Sequence, residues 1–233
     1  LLGTFITRSG LLTSVHAFAS DPDRGFFILA ILGITVGGAL LLFAFRAPLM
    51  KSEFGFDLVS REILLLSNNV ILVVAAASVF LGTLFPMVYQ AITDDLISIG
   101  PPYFNAIFIP LMALLALLLS IGPYTRWKRT STTYLMQQLG KVALAALTLG
   151  VLLPLLVTRQ ISLPATVAVA IGSWIMLAML QDLVNKTANK ATRLKGLRAL
   201  SFSYYGMQMA HIGLAVMLIG VALTSSFSSE RSV

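Results

Sequence analysis

Six runs of about twenty mostly apolar residues dominate this sequence, and nothing else in it restricts folding so severely. They lie at 26–45, 63–86, 103–121, 135–157, 163–184 and 204–224. Each is long enough to cross the ~30 Å hydrocarbon core of a bilayer as an α-helix. In lipid the backbone must satisfy its own hydrogen bonds, so such runs fold as helices. Only 11% of the 233 residues are charged and 58% are hydrophobic, a balance no soluble domain of this length shows. The expected fold is therefore all-α, a polytopic transmembrane helix bundle with six spanning helices. The chain divides into a linker at 1–25, a six-helix transmembrane domain at 26–224 and a tail at 225–233.

The net charge of +7 does not indicate nucleic-acid binding. In a membrane protein the location of the cations matters, because Lys and Arg collect in cytoplasmic loops. One set of alternate connections carries eleven of them: Arg46, Lys51 and Arg61; Arg126, Lys128 and Arg129; Lys186, Lys190, Arg193, Lys195 and Arg198. The other set carries four, Arg8, Arg24, Arg159 and Arg231. With an even number of spans, this asymmetry places both termini outside. The chain has no cysteine, which removes disulfides, Cys-ligated clusters and thiol nucleophiles. It opens on the apolar LLGTF without Met and shows no signal peptide. That opening predicts part of a larger polypeptide, or one piece of a split one.

Several local features add detail. Asp21-Pro22-Asp23 is helix-start chemistry, and Gly33, Gly37 and Gly38 offer a small-residue face for close packing in the first span. The amides of Asn68 and Asn69 predict a face turned into protein and hydrogen bonds between helices. Thr158 to Ser162 allows only a tight antiparallel hairpin between the fourth and fifth spans. Tyr124 and Trp127 beside Arg126 read as an interfacial belt. Trp174 faces lipid or a neighbouring helix. Asp94 and Asp95 have no basic or His companion nearby in sequence, which leaves an acid/base pair unsupported, and Lys141 lies near a helix end.

The two histidines are the candidates for chemistry. His16 lies in RSGLLTSVHAFASDPDRG, with Leu11, Leu12, Val15, Ala17 and Phe18 around it and Arg8 and Arg24 each eight residues away. An imidazole on an apolar, membrane-skimming surface flanked by cations suits a flat apolar ligand that carries carboxylates and a metal, and haem meets that description. A hydrogen-bonding anchor is the alternative role. Arg8 and Arg24 are candidates to meet haem propionates, or they lie at headgroup level.

His211 is about ten residues into the last span from the strongly basic loop, on the order of 10–15 Å deep. Ionisable residues at such depth mark functional sites by default. Gly206, Gly213 and Gly220 recur every seven residues, and Gly206 pairs with Ala210. That spacing predicts another helix packed closely beside the imidazole, with a hydrogen bond to a neighbouring helix as the alternative. His16, at the outer surface, and His211, in the inner half, are too far apart to share one iron, whose Fe–N bonds are ~2 Å. If both bind haem, they serve two sites, each completed from outside this chain.

The opening GTFITRSGLLTSVHAFASDPDRGFF closely resembles the cytochrome c maturation haem lyase family, CcmF, together with its nitrite-reductase relative NrfE. SREILLLSNN at 60–69, PPYFN at 101–105 and YYGMQMAHIGLAVMLIG at 204–220 resemble the same family in the same order. The resemblance spans essentially the whole chain and corresponds to the middle of the family. A tryptophan-rich external loop with its nearby histidine, the first transmembrane haem ligand and a C-terminal periplasmic domain have no counterpart in it.

The resemblance implies that His211 is one of two transmembrane histidines on the iron of a resident haem b. It implies that His16 is one of two periplasmic-face histidines receiving haem, as substrate, from the chaperone CcmE. The implied activity is that of a cytochrome c synthetase (haem lyase) component, which joins haem to the CxxCH thiols of apocytochrome c. It has no catalytic side chain of its own in this chain, and neutral imidazole is its ligand form. Implied partners are the remaining CcmF polypeptide with the other histidines and the tryptophan-rich loop, a CcmH-type thiol-handling subunit and the lipid bilayer, with no nucleic acid. The implied location is the bacterial inner membrane, or the mitochondrial one. A permease or haem-exporter fragment is the rival reading. A substrate path normally shows broken helices or several buried charges, and here only His211, Asn68, Asn69 and Lys141 are candidates. A purely structural membrane subunit is the third.

Overall fold

A computed structural model describes residues 1–8, 21–49, 55, 57–188 and 193–227. It contains α1 (Leu2–Arg8), α2 (Pro22–Arg46), α3 (Arg61–Thr93), α4 (Pro101–Ile121), α5 (Thr132–Thr158), α6 (Leu163–Thr187), α7 (Arg193–Arg198) and α8 (Phe202–Phe227). Six helices among the described residues, all but α1 and α7, are long and apolar enough to cross a membrane. The expected all-α architecture and its six spans are borne out. α3 continues to Thr93 through Pro86, beyond the apolar run expected to end there. A transmembrane helix tolerates proline because neighbouring groups compensate for the freed carbonyl.

The chain forms two compact units, Leu1–Phe54 with Phe80–Gly100, and Gly55–Val79 with Pro101–Val233. In the first, α1 packs against α2. Asp21 caps α2 by accepting a hydrogen bond from the Arg24 backbone N–H at 3.2 Å, as the Asp-Pro-Asp sequence predicts. Gly33, Gly37 and Gly38 face open space, with nothing within 4 Å of a Cβ placed there. The close packing expected on that face is absent among the described residues.

In the second unit α6 is the central helix, packing on α5, α8 and α4. Its buried residues run almost all round it, from Ala165 to Asp182. A helix apolar on most sides shows no amphipathic stripe, and burial of most of its faces is the matching environment, with Met176, Leu180 and Val184 left exposed. Ile175, Ala178 and Met179 meet Ala116 of α4, Leu139 of α5 and Ala215 of α8 in one core cluster. α5 and α6 form the expected tight hairpin, with Arg159 in the left-handed region (φ 55°) at its turn. Two glycines let backbones meet. A Cβ on Gly150 of α5 would lie 2.6 Å from Ala170 Cβ and 2.9 Å from Thr166 O of α6. One on Gly172 of α6 would lie 2.6 Å from Ile219 Cγ1 and 3.1 Å from Ala215 O of α8.

Tyr124 departs from the interfacial belt expected of it. It is buried, and its hydroxyl donates to Ala178 O of α6 at 2.6 Å. The loss of this hydroxyl in Tyr124→Phe should lower stability by about 1 kcal/mol, read as an earlier unfolding midpoint in detergent micelles. An unchanged midpoint would assign the whole contribution of Tyr124 to its ring.

The first two basic loops clasp each other. Thr130 N–H donates to Val59 O at 2.7 Å, Asp57 N–H to Lys128 O at 2.8 Å and Arg61 N–H to Arg126 O at 3.0 Å. Both Glu62 oxygens accept from the Lys128 N–H at 2.9 Å, and Asp57 pairs with Arg129 at 3.1 Å. Trp127 remains exposed, with the Arg61 guanidinium 5.5 Å from its ring centre. Loops that the cation count assigned to one side of the membrane are therefore in contact.

Candidate functional site

His211 lies in the third turn of α8 and is half-buried. Its Nδ1 is 2.8 Å from Met207 O, one turn back on the same helix. A carbonyl only accepts, so the hydrogen belongs on Nδ1, and Nε2 keeps its lone pair. Nε2 has no hydrogen-bond partner among the described residues. Metal-binding histidines commonly show this arrangement, in which a carbonyl on one nitrogen fixes the ring and leaves the other to ligate. The alternative expectation, a hydrogen bond to another helix, is not met among the described residues.

The glycines do not adjoin the imidazole. At 100° per residue, Gly206, Gly213 and Gly220 point to the side of α8 opposite His211. Nothing lies within 4 Å of a Cβ at any of the three. The face that packs on the core carries Gln208 and Ala215, with Met207 and Leu218 partly buried beside them. By the same angles His211 lies between Met207 and Leu218 on one side and Gln208 and Ala215 on the other, and it is half-buried. The seven-residue glycine spacing predicted a packed face; among the described residues that face is open, and α8 is closely approached at Gly172 of α6 instead.

A polar group the sequence reading passed over lies on the same face. Asp182 of α6 is buried, and its Oδ2 accepts from Lys186 Nζ at 2.9 Å and from the Tyr204 hydroxyl at 2.8 Å. Gln208 Nε2 donates to the Tyr204 oxygen at 2.5 Å and to Met179 O at 3.2 Å. The Lys186 ammonium is also 4.3 Å from the Tyr204 ring centre. Tyr204, Gln208 and His211 stand at i, i+4 and i+7, one side of a helix. The signal was present in sequence: an Asp four residues before a Lys at the end of an apolar run, and a Tyr four before a Gln. Beside it, Gln138 of α5 accepts through its side-chain oxygen from Gln181 at 3.1 Å and Asn185 at 3.0 Å.

His16 falls outside the described residues. Arg8 is the last residue of α1. Arg24 forms an exposed ion pair with Asp21 at 3.1 Å, a weak interaction that a propionate would have to displace. Asn68 donates only to its neighbour Asn69, at 3.3 Å, and Asn69 is exposed. The interhelical bonds expected of this pair are absent among the described residues. No group of three or more His, Cys, Asp or Glu side chains that could hold a metal occurs among them. The lone pair on His211 Nε2 is a donor of the kind that could hold a haem iron, with any further ligand supplied from outside the described residues.

No protein-family model matches the chain. Over 233 residues, all of this chain, it is 48% identical to the cytochrome c-type biogenesis protein CcmF of Pseudomonas fluorescens. It is 44% identical over the same length to CcmF of Escherichia coli strain K12. The chain spans about a third (35%) of the length of either relative. A solved chain described as cytochrome c heme lyase CcmF has the same fold, with a TM-score of 0.65 over 96% of this chain and 33% of that one, at 24% identity.

Proposed function

From a sequence that is CcmF-like from its first residue to its last, we propose that this chain is the haem-holding membrane core of a cytochrome c synthetase. The observation that carries this reading is a membrane-depth imidazole, His211, with Nδ1 engaged by Met207 O and Nε2 free. A haem b bound there supplies one-electron chemistry. The chain's own part is to hold the neutral imidazole, fix its tautomer through the backbone carbonyl and exclude water by the packing of Met207 and Leu218. A second ligand to such a haem would come from outside this chain.

His16 is the acceptor at the opposite surface, where haem arrives from the chaperone CcmE as substrate. There apocytochrome c, handled by a CcmH-type partner, presents its two CxxCH thiols to the haem vinyl groups. Arg8 and Arg24 are the propionate partners. The membrane is the inner one, with His16 on its periplasmic face and the clasped basic loops on the cytoplasmic side.

Replacement of His16 by Gly should abolish haem stain on a reporter cytochrome c while leaving the b-type spectrum intact. Added imidazole should restore the stain by filling the open axial position. Normal staining in this variant without imidazole would reduce His16 to an interfacial anchor. A colourless native complex would overturn the reading as a whole and favour an exporter or structural subunit.

A further inference from the structure

We infer that Asp182 and Lys186 tune the redox potential of a haem held at His211 in opposite directions, with the carboxylate dominant. This rests on the reading of His211 as an axial ligand. Asp182 is the buried charged group in the polar set of α6 and α8, and neither haem ligation nor haem transfer gives it a role. Its side chain is 9% exposed, whereas that of Lys186 is 43% exposed. Water screens the ammonium far more than the carboxylate, so the pair presents a net negative potential toward the protein interior. The Tyr204 hydroxyl and Gln208 amide line up from Asp182 along the side of α8 that His211 shares. Tyr204 and His211 are seven residues apart, roughly 10 Å along the axis. Over that distance a charge in a low-dielectric interior still acts strongly.

A negative potential favours the ferric over the ferrous state. It lowers the midpoint of the couple and makes the reduced haem the stronger one-electron donor. Without Asp182, the basic loop would raise the potential at His211.

The experiment is redox potentiometry on the b-type haem of the native complex, following the ferrous α band, in wild type, Asp182→Asn and Lys186→Gln. Asn keeps the size and an acceptor for Tyr204 and removes only the charge. Asp182→Asn should raise the midpoint by the equivalent of a roughly ten-fold change in the reduced-to-oxidised ratio, about 59 mV for one electron. Lys186→Gln should lower it by a smaller amount, roughly two- to three-fold in the same ratio, since its charge is the more screened. A merely structural role would move both variants the same way, or neither, and either result overturns the inference. If Asp182→Asn fails to assemble, Lys186→Gln at an already exposed site decides alone: a lowered midpoint supports the inference and an unchanged or raised one overturns it. Absence of b-type haem from the wild type is a different failure, since it removes the His211 assignment itself.

Discussion

His211→Ala should strip the b-type haem from the complex and leave its helices inserted and folded. Under the proposed role of His211 this change removes a haem ligand, so the Soret and α bands should fall to background. The structural cost is small. Among the described residues the side chain's one hydrogen bond runs to Met207 within its own helix, and even an interhelical bond in a membrane averages only ~0.6 kcal/mol. Helix content and elution volume in detergent should match the wild type. Imidazole added to His211→Gly should partly restore the spectrum, because Gly leaves room for an exogenous ring on the flank between Met207 and Leu218. A full b-type spectrum in His211→Ala would move the haem to another site.

The second large effect is expected at Gly150. Even Gly150→Ala places its Cβ 2.6 Å from Ala170 Cβ and 2.9 Å from both Ala170 Cα and Thr166 O. Two of these three atoms are backbone, so no rotamer change relieves the overlap and the α5–α6 pair has to separate. Overpacking of this kind costs about 1–3 kcal/mol, occasionally more. Gly172→Ala should cost less, because its nearest neighbours are the Cγ1 and Cδ1 of Ile219, which can turn aside. Gly213→Ala meets nothing and should be neutral or stabilising, by up to ~1 kcal/mol of helix propensity. Unfolding midpoints in mixed micelles give the order directly. Wild-type stability in Gly150→Ala would show that the two helices do not approach as closely as described.

The helices were legible in the sequence because a bilayer demands length and apolarity, and both can be counted along a chain. The same property conceals how each helix is rotated. Lipid and protein interior are equally apolar, so a residue facing one reads like a residue facing the other. The glycines at 206, 213 and 220 thus suggested a packed face yet lie open, while Gly150 and Gly172, which carried no comparable spacing, mark the true contacts. Tyr124 looked interfacial by its company of Trp127 and Arg126, and only the fold of the 122–130 loop shows its ring turned into the core.

For the site, sequence alone singled out His211 by residue type and depth, and the cation count sorted the loops into two sides. The tertiary structure decided what the imidazole's two nitrogens do and which groups share its side of α8. Asp182 and Tyr204 are 22 residues apart in sequence and joined by one hydrogen bond. Such a contact depends on the rotation of two helices about their axes, and that rotation is set by side-chain interlocking, to which hydropathy is blind.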